Sequence, residues 1–183
     1  MSVQDLYPSW IYYPAQDRPP GWATDFVEVV RGTAERIDSR VSGGLDSNAV
    51  LRVLRPGLES LGYQVESSKR HADRIRRPVL FGENGVERVA YEIDAVHDSL
   101  GVLVEIEAGR GADGNAVYRD LVRASLIVDA RFFVLCVLQQ YRRMSGGRQI
   151  IVQSYRDARN QLDAIYASGR LGLPFEGVLL VGY

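Results

Sequence analysis

Residues 91–108, Tyr-Glu-Ile-Asp-Ala-Val-His-Asp-Ser-Leu-Gly-Val-Leu-Val-Glu-Ile-Glu-Ala, restrict the fold more than any other stretch. They read as two β-strands joined by a tight turn, with acids where buried strands usually carry apolar side chains. Val102, Val104 and Ile106 alternate with Leu103, Glu105 and Glu107, so strand periodicity puts both glutamates on one face. A loop of two or four residues around Asp98-Ser99-Leu100-Gly101 pairs positions whose numbers sum to an odd value. Asp94 then lies opposite Leu103 or Glu105, and cross-strand neighbours share a face. Three carboxylates are thus expected to converge. Like charges that close are costly unless a cation or a proton offsets them, and a divalent metal site is the economical explanation. A surface hairpin with a charged outer face is the plainer alternative.

The strands around this hairpin indicate a layered α/β fold. Phe132-Phe133-Val134-Leu135-Cys136-Val137-Leu138 is apolar throughout, as is Gly177-Val178-Leu179-Leu180-Val181. Such runs belong to strands covered on both faces. Helical spacing predicts helices over 24–38, 47–61, 116–129 and 154–167, with Pro56 expected to bend or break the second. Gly62 marks that helix's end, and residues 63–66 read as a strand. Residues 79–81 form another short strand, and 144–148 a loop. The order is α, α, β, β-hairpin, α, β, α, β, an α/β sandwich around a mixed sheet.

With 183 residues, 46% of them hydrophobic and 25% charged, the chain suits one ordinary globular domain over 23–183. Residues 1–22 hold both tryptophans, Trp10 and Trp22, with Tyr7, Tyr12 and Tyr13 among four prolines. This reads as an extended strap docking its aromatics on the body; a base-stacking arm is the alternative, although Arg18 is its one cation. No run reaches the roughly 18 to 20 apolar residues of a membrane span. Met1 leads into neither a basic nor an apolar leader segment, and Cys136 is a lone, core-type thiol. A cytoplasmic protein is expected. The net charge of −1 argues against a generic nucleic-acid binder without excluding one, because an acidic metal site makes the formal count more negative than the loaded protein.

Arg70, Arg74, Arg76 and Arg77, with Lys69, form a cationic run that is either a solvated face or a grip on phosphates. Ser42-Gly43-Gly44-Leu45-Asp46-Ser47 matches the SGGxDS loop of PP-loop ATP pyrophosphatases. That reading requires a buried strand ending at Val41; otherwise Asp46 or Ser47 simply caps the next helix. His71 and His97 read as surface or turn histidines.

The order of elements and the acids Asp94, Glu105 and Glu107 resemble the PD-(D/E)xK nuclease superfamily, the restriction endonuclease-like fold, over roughly residues 47–140. Asp94 matches the first motif position and Glu105 the second. Glu107 stands where most members carry lysine, as glutamate or glutamine does in the BamHI/BglII branch. The segment from Glu105 through Asn115 to Tyr118-Arg119-Asp120-Leu121 is most similar to that branch. The resemblance implies a three-layer sandwich, Mg2+ or Mn2+ held by Asp94 and Glu105 with the Ile106 carbonyl, and phosphodiester hydrolysis of DNA. It also implies dimerisation as an option, and an extra acid from the first core helix, for which Glu35 and Glu59 are the candidates. Magnesium needs only one or two carboxylates besides substrate phosphate and waters. Glu107 could take a proton from the attacking water, but it cannot supply the positive charge of a lysine. Lys69 is the one lysine that could supply it. Asn115 and Arg119, opening the helix beside the acids, are candidate phosphate contacts. A catalytically inactive binding module on the same fold is the alternative function, and a pyrophosphatase using Ser42–Ser47 a third.

Overall fold

The elements along the chain are β1 (Ser9–Tyr13), α1 (Gly21–Arg31), α2 (Ala34–Ile37), α3 (Ser47–Ser60), β2 (Gln64–Val65), β3 (Ile75–Phe81) and β4 (Glu87–Ile93), followed by β5 (Ala95–His97), β6 (Val102–Glu107), α4 (Ala116–Ser125), β7 (Phe132–Val137), β8 (Tyr141–Ser145), β9 (Arg148–Val152), α5 (Ser154–Ser168) and β10 (Gly177–Gly182). They come from a computed structural model that describes residues 7–41, 44–67, 73–109 and 115–183.

Strand alternation sets the layers. Six strands form one mixed sheet in the order β1-β10-β7-β6-β5-β2, with β6, β7 and β10 mutually parallel and the outer pairings antiparallel. On one face Val104, Ile106, Val134, Cys136, Leu179 and Val181 pack with α1, α2 and α3 through Phe26, Ile37 and Leu54. On the other, Leu103, Phe133, Leu135 and Leu180 pack with α4 and α5 through Val117, Leu121 and Leu162. The three-layer sandwich follows, because a strand apolar on both sides can be covered only by an element on each face.

Several local expectations change. The helix expected over 24–38 divides at Gly32, where the Thr33 hydroxyl donates back to the Val30 carbonyl at 2.9 Å and competes with helix continuation. The helix starting at Ser47 runs unbroken through Pro56. Gly57, beside it, lets α1 approach: a Cβ there would lie 2.6 Å from Val29 Cγ1. Within the aromatic strap, residues 9–13 form an edge strand antiparallel to β10. The loop expected at 144–148 is the turn of a hairpin, β8–β9, which makes its own two-stranded sheet. The strand leading into the acidic turn is also not continuous. Residues 87–93 pair with β3 in a separate hairpin, the chain bends at Asp94, and only 95–97 join the main sheet.

Candidate functional site

The bend at Asp94 builds the site. β5 pairs with β6 in the register Ala95↔Val104 and His97↔Val102, so Asp94 comes opposite Glu105, as one of the two expected registers requires. The chain leaves the ladder there, and the Asp94 carboxylate takes its place, accepting the Ile106 N–H at 2.7 Å. This fixes Asp94 against the edge of β6 while its backbone carbonyl accepts the Glu66 N–H at 2.8 Å. Glu105 projects from β6 on the Leu103 face, toward the α4 layer. Burial, then the adjacent Asp94 charge, then Asp120 push the Glu105 carboxyl well above the usual carboxylate range; Arg123 opposes the shift most weakly. Two carboxyl groups in such contact need a proton or a cation between them.

Asp94 and Glu105 line a polar cavity of about 200 Å³ that also receives Glu66, Glu92, Arg74 and Arg123. Ser47 and Asn48, the first turn of α3, close another side of it. Arg74 pairs with Glu92, and the Arg123 guanidinium lies over the Tyr91 ring, 5.2 Å from its centroid. Carboxylates and guanidinium groups therefore face one small volume.

Glu107 belongs to a second cluster. Its Oε1 accepts from Arg119 Nη2 at 2.6 Å, and Arg119 Nε donates to Asp120 Oδ1 at 2.9 Å. Asp120 lies on the buried face of α4. Burial first, then the hydrogen bond and charge of Asp120, raise the Glu107 carboxyl to about 7, with Arg119 pulling the other way. The Tyr183 hydroxyl holds the strand end by donating to the Glu107 carbonyl at 3.2 Å. The expected cluster of carboxylates takes the form of two pairs, Asp94 with Glu105 and Glu107 with Asp120, which still feel each other: Asp120 raises Glu105 and Asp94 raises Glu107. Side chains at 105 and 107 share a face but lie two strand residues apart, roughly 7 Å, and Arg119 draws the second toward the helix. Among the described residues, no three His, Cys, Asp or Glu side chains gather closely enough to hold a metal unaided.

The remaining candidates divide. Of the cationic run, Arg74 reaches the cavity, whereas Arg76 pairs with Glu87 at 3.4 Å and Arg77 with Asp98 at 2.7 Å, beside the turn at the far end of β5 and β6. Arg70, Lys69 and His71 lie outside the described residues. Asn115 precedes α4 in the left-handed conformation with an exposed side chain that makes no cap hydrogen bond. Arg119 contacts carboxylates. Neither Glu35 nor Glu59 is among the cavity-lining residues; Glu59 sits at the far end of α3, about 18 Å along the helix from Ser47 by the rise per residue. His97 stacks edge-on against Tyr63 in the turn region. Of the glycine loop, Ser42 and Gly43 lie outside the described residues. Asp46 caps α3 by accepting the Ala49 N–H at 2.9 Å. The strand required for pyrophosphate binding is replaced by α2 and a turn, with Val41 83% exposed, so that reading fails on its own condition.

Glu66, Arg74 at its actual partner, and Arg123 are cavity residues that strand and helix patterns alone do not single out. Arg123 carries the clearest missed signal: it stands four residues after Arg119, so both project from one face of α4.

No family model and no curated protein matches the sequence. Among solved structures, the chain is similar to restriction endonuclease BglII complexed with a DNA 16-mer, with a TM-score of 0.55 and 13% identity, covering 97% of this chain and 76% of that one. At that identity the likeness is one of fold: this is a restriction endonuclease-like α/β sandwich. Among the described residues, no helix is long and apolar enough to cross a membrane.

Proposed function

We propose that the chain is a metal-dependent nuclease hydrolysing phosphodiester bonds in DNA, with Asp94 and Glu105 of a PD-(D/E)xK-type motif as its metal ligands. The observation carrying this reading is the Asp94–Glu105 pair at a bend in the sheet, two carboxyl groups pressed together beside a polar cavity. Stability alone does not call for such a pair, since buried like charges oppose folding. The donor set fits Mg2+ or Mn2+, hard cations that accept two carboxylates, a carbonyl such as that of Ile106, and otherwise waters and phosphate. When bound, such an ion neutralises a phosphate and acidifies a water. A set of only two carboxylates is compatible with this, because magnesium retains most of its waters.

The chain's own groups supply the rest. Glu107, with a carboxyl raised to about 7, is suited to take the proton from the attacking water near neutral pH. Arg119 orients Glu107 through a 2.6 Å hydrogen bond to its Oε1. Arg123 and Arg74 bring positive charge to a cavity that Glu66, Glu92, Asp94 and Glu105 also line, where a phosphate can sit. Lysine, which would stabilise developing negative charge from the Glu107 position, is replaced by this arginine pair. That BglII is a DNA complex on a related fold supports DNA as the substrate class.

The test is cleavage of duplex DNA with Mg2+ or Mn2+ by the wild-type chain. Asp94→Ala and Glu105→Ala should each lower it by at least 100-fold, the scale of losing a primary electrostatic element. DNA left intact across a broad duplex panel, with no metal bound by calorimetry, would remove the enzymatic reading. The second reading, an inactive DNA- or protein-binding module, is favoured by the engagement of Glu107 with Arg119, which partly neutralises the motif's third position. It predicts binding without metal and without turnover.

A further inference from the structure

We propose that the β8–β9 ribbon reads the base sequence of double-stranded DNA by entering its major groove; the proposal rests on the nuclease reading above. The ribbon starts at the catalytic end of the sheet. Val137, at the end of β7, pairs with Glu107 of β6, and Tyr141 follows four residues later. The link is tied to the site: the Gln139 N–H donates to the Tyr183 carbonyl at 2.7 Å, and the Tyr183 hydroxyl donates to the Glu107 carbonyl.

From that root the ribbon stands as a separate two-stranded sheet. Its turn, Gly146-Gly147, has both φ angles positive, the two-residue geometry that matches strand twist and keeps the ribbon narrow. Five residues extend about 17 Å, and a two-stranded ribbon fits a major groove about 12 Å wide. Cross-strand partners share a face, and one face carries the pairs Arg142–Ile151 and Met144–Gln149. All four are exposed, Met144 by 68%. An exposed face of mixed apolar, amide and cationic side chains on a short ribbon edge invites a partner.

Charge indicates which partner. Residues 141–152 contain three arginines and no acid. Arg74, just before β3, and Arg76 and Arg77 within it are each paired with a carboxylate. Among the described residues, Arg142 and Arg148 have no carboxylate partner; Arg142 donates to the uncharged carbonyl of Arg40 at 2.7 Å. Uncompensated arginines beside a phosphodiester site favour a polyanion. The deep, narrow major groove of an RNA duplex does not admit a ribbon. Arg148 at the turn and Gln149 on the exposed face are the base readers, since their side chains match guanine and adenine edges respectively.

The experiment compares wild type with Arg148→Ala, Gln149→Ala and Arg148→Lys on a randomised duplex pool in Mn2+, with thermal melting as the folding control. Wild type should cut at preferred sequences. Arg148→Ala and Gln149→Ala should each lose discrimination at one or two base pairs by roughly 5- to 100-fold while still cleaving. Arg148→Lys, which keeps the charge but not the fork, should lose the preference and retain affinity. A preference unchanged in all three variants, or a wild type that cuts without preference, overturns the proposal. Absence of any DNA cleavage by wild type overturns the nuclease reading instead. In that case duplex binding, followed by fluorescence anisotropy, decides the ribbon separately: binding that survives Arg148→Ala unweakened overturns it.

Discussion

Two carboxylate pairs two residues apart on one strand have opposite surroundings. Glu105 meets Asp94 where the sheet bends, and among the described residues its opposing cation, Arg123, acts only weakly. Glu107 meets buried Asp120, but Arg119 bridges both with hydrogen bonds of 2.6 and 2.9 Å. The Glu107–Asp120 pair therefore carries its own counter-ion, whereas under the proposed function a metal ion would relieve the opposed carboxyl groups of Asp94 and Glu105. On the proposed reading, that difference separates Glu107 as the proton acceptor from Asp94 and Glu105 as the cation ligands.

The largest effect expected from this contrast is linkage to metal. Mn2+ at 100 times its Kd should stabilise wild type by about 2.7 kcal/mol, and Glu105→Gln should abolish that gain. Differential scanning calorimetry with and without the ion measures it; equal stabilisation of both proteins would place the ion elsewhere. Without metal, Glu105→Gln should be more stable than wild type at pH 7, because it removes a carboxyl whose charged form burial and Asp94 oppose while keeping the shape. A melting temperature at or below that of wild type would remove the claim that burial and Asp94 oppose the Glu105 carboxylate.

The pH dependence follows from the sign of the Glu107 shift. Its folded value, about 7, lies above the ordinary 4.5, so between these values the folded chain binds the proton more tightly than the unfolded chain. The resulting stability is fully present below about pH 4.5 and is lost as pH rises through about 7, at up to about 1.4 kcal/mol per pH unit. Glu107→Gln should flatten that part of the curve, as urea unfolding from pH 4.5 to 8 would reveal. The smallest effect belongs to Arg119→Ala. It leaves Glu107 and Asp120 facing each other without their bridge and should cost about 1 kcal/mol, the value being modest because Arg119 is 55% exposed. Its signature is a Glu107 titration moved further upward, readable by NMR. An unmoved titration would mean that the bridge is incidental.

Much of this was legible along the chain, for identifiable reasons. The apolar runs at β7 and β10 must be covered on two faces, which already implies the three layers. The odd-sum register of the turn narrowed Asp94 to two partners, and Asp46 as a helix cap is a local hydrogen bond. Strand β1, the break between β4 and β5, and the β8–β9 ribbon were not legible. Each depends on which distant strand offers an edge, and periodicity carries no information about that. Val104 and Glu105 look the same to a pattern whether or not Arg123 stands across the cavity.

The amino-acid sequence by itself therefore determined helices α3, α4 and α5, strands β7 and β10, the face on which Leu103, Glu105 and Glu107 lie, and the nearness of Asp94 to β6. These follow from spacing and short-range pairing. Only the tertiary structure decided that Glu107 pairs with Arg119 beside Asp120, and that Glu66, Arg74 and Arg123 join Asp94 and Glu105 around one cavity. The reason is physical: charges are assigned partners by distance in space, after helices pack on the sheet, and residues 66, 94, 105 and 123 meet only there.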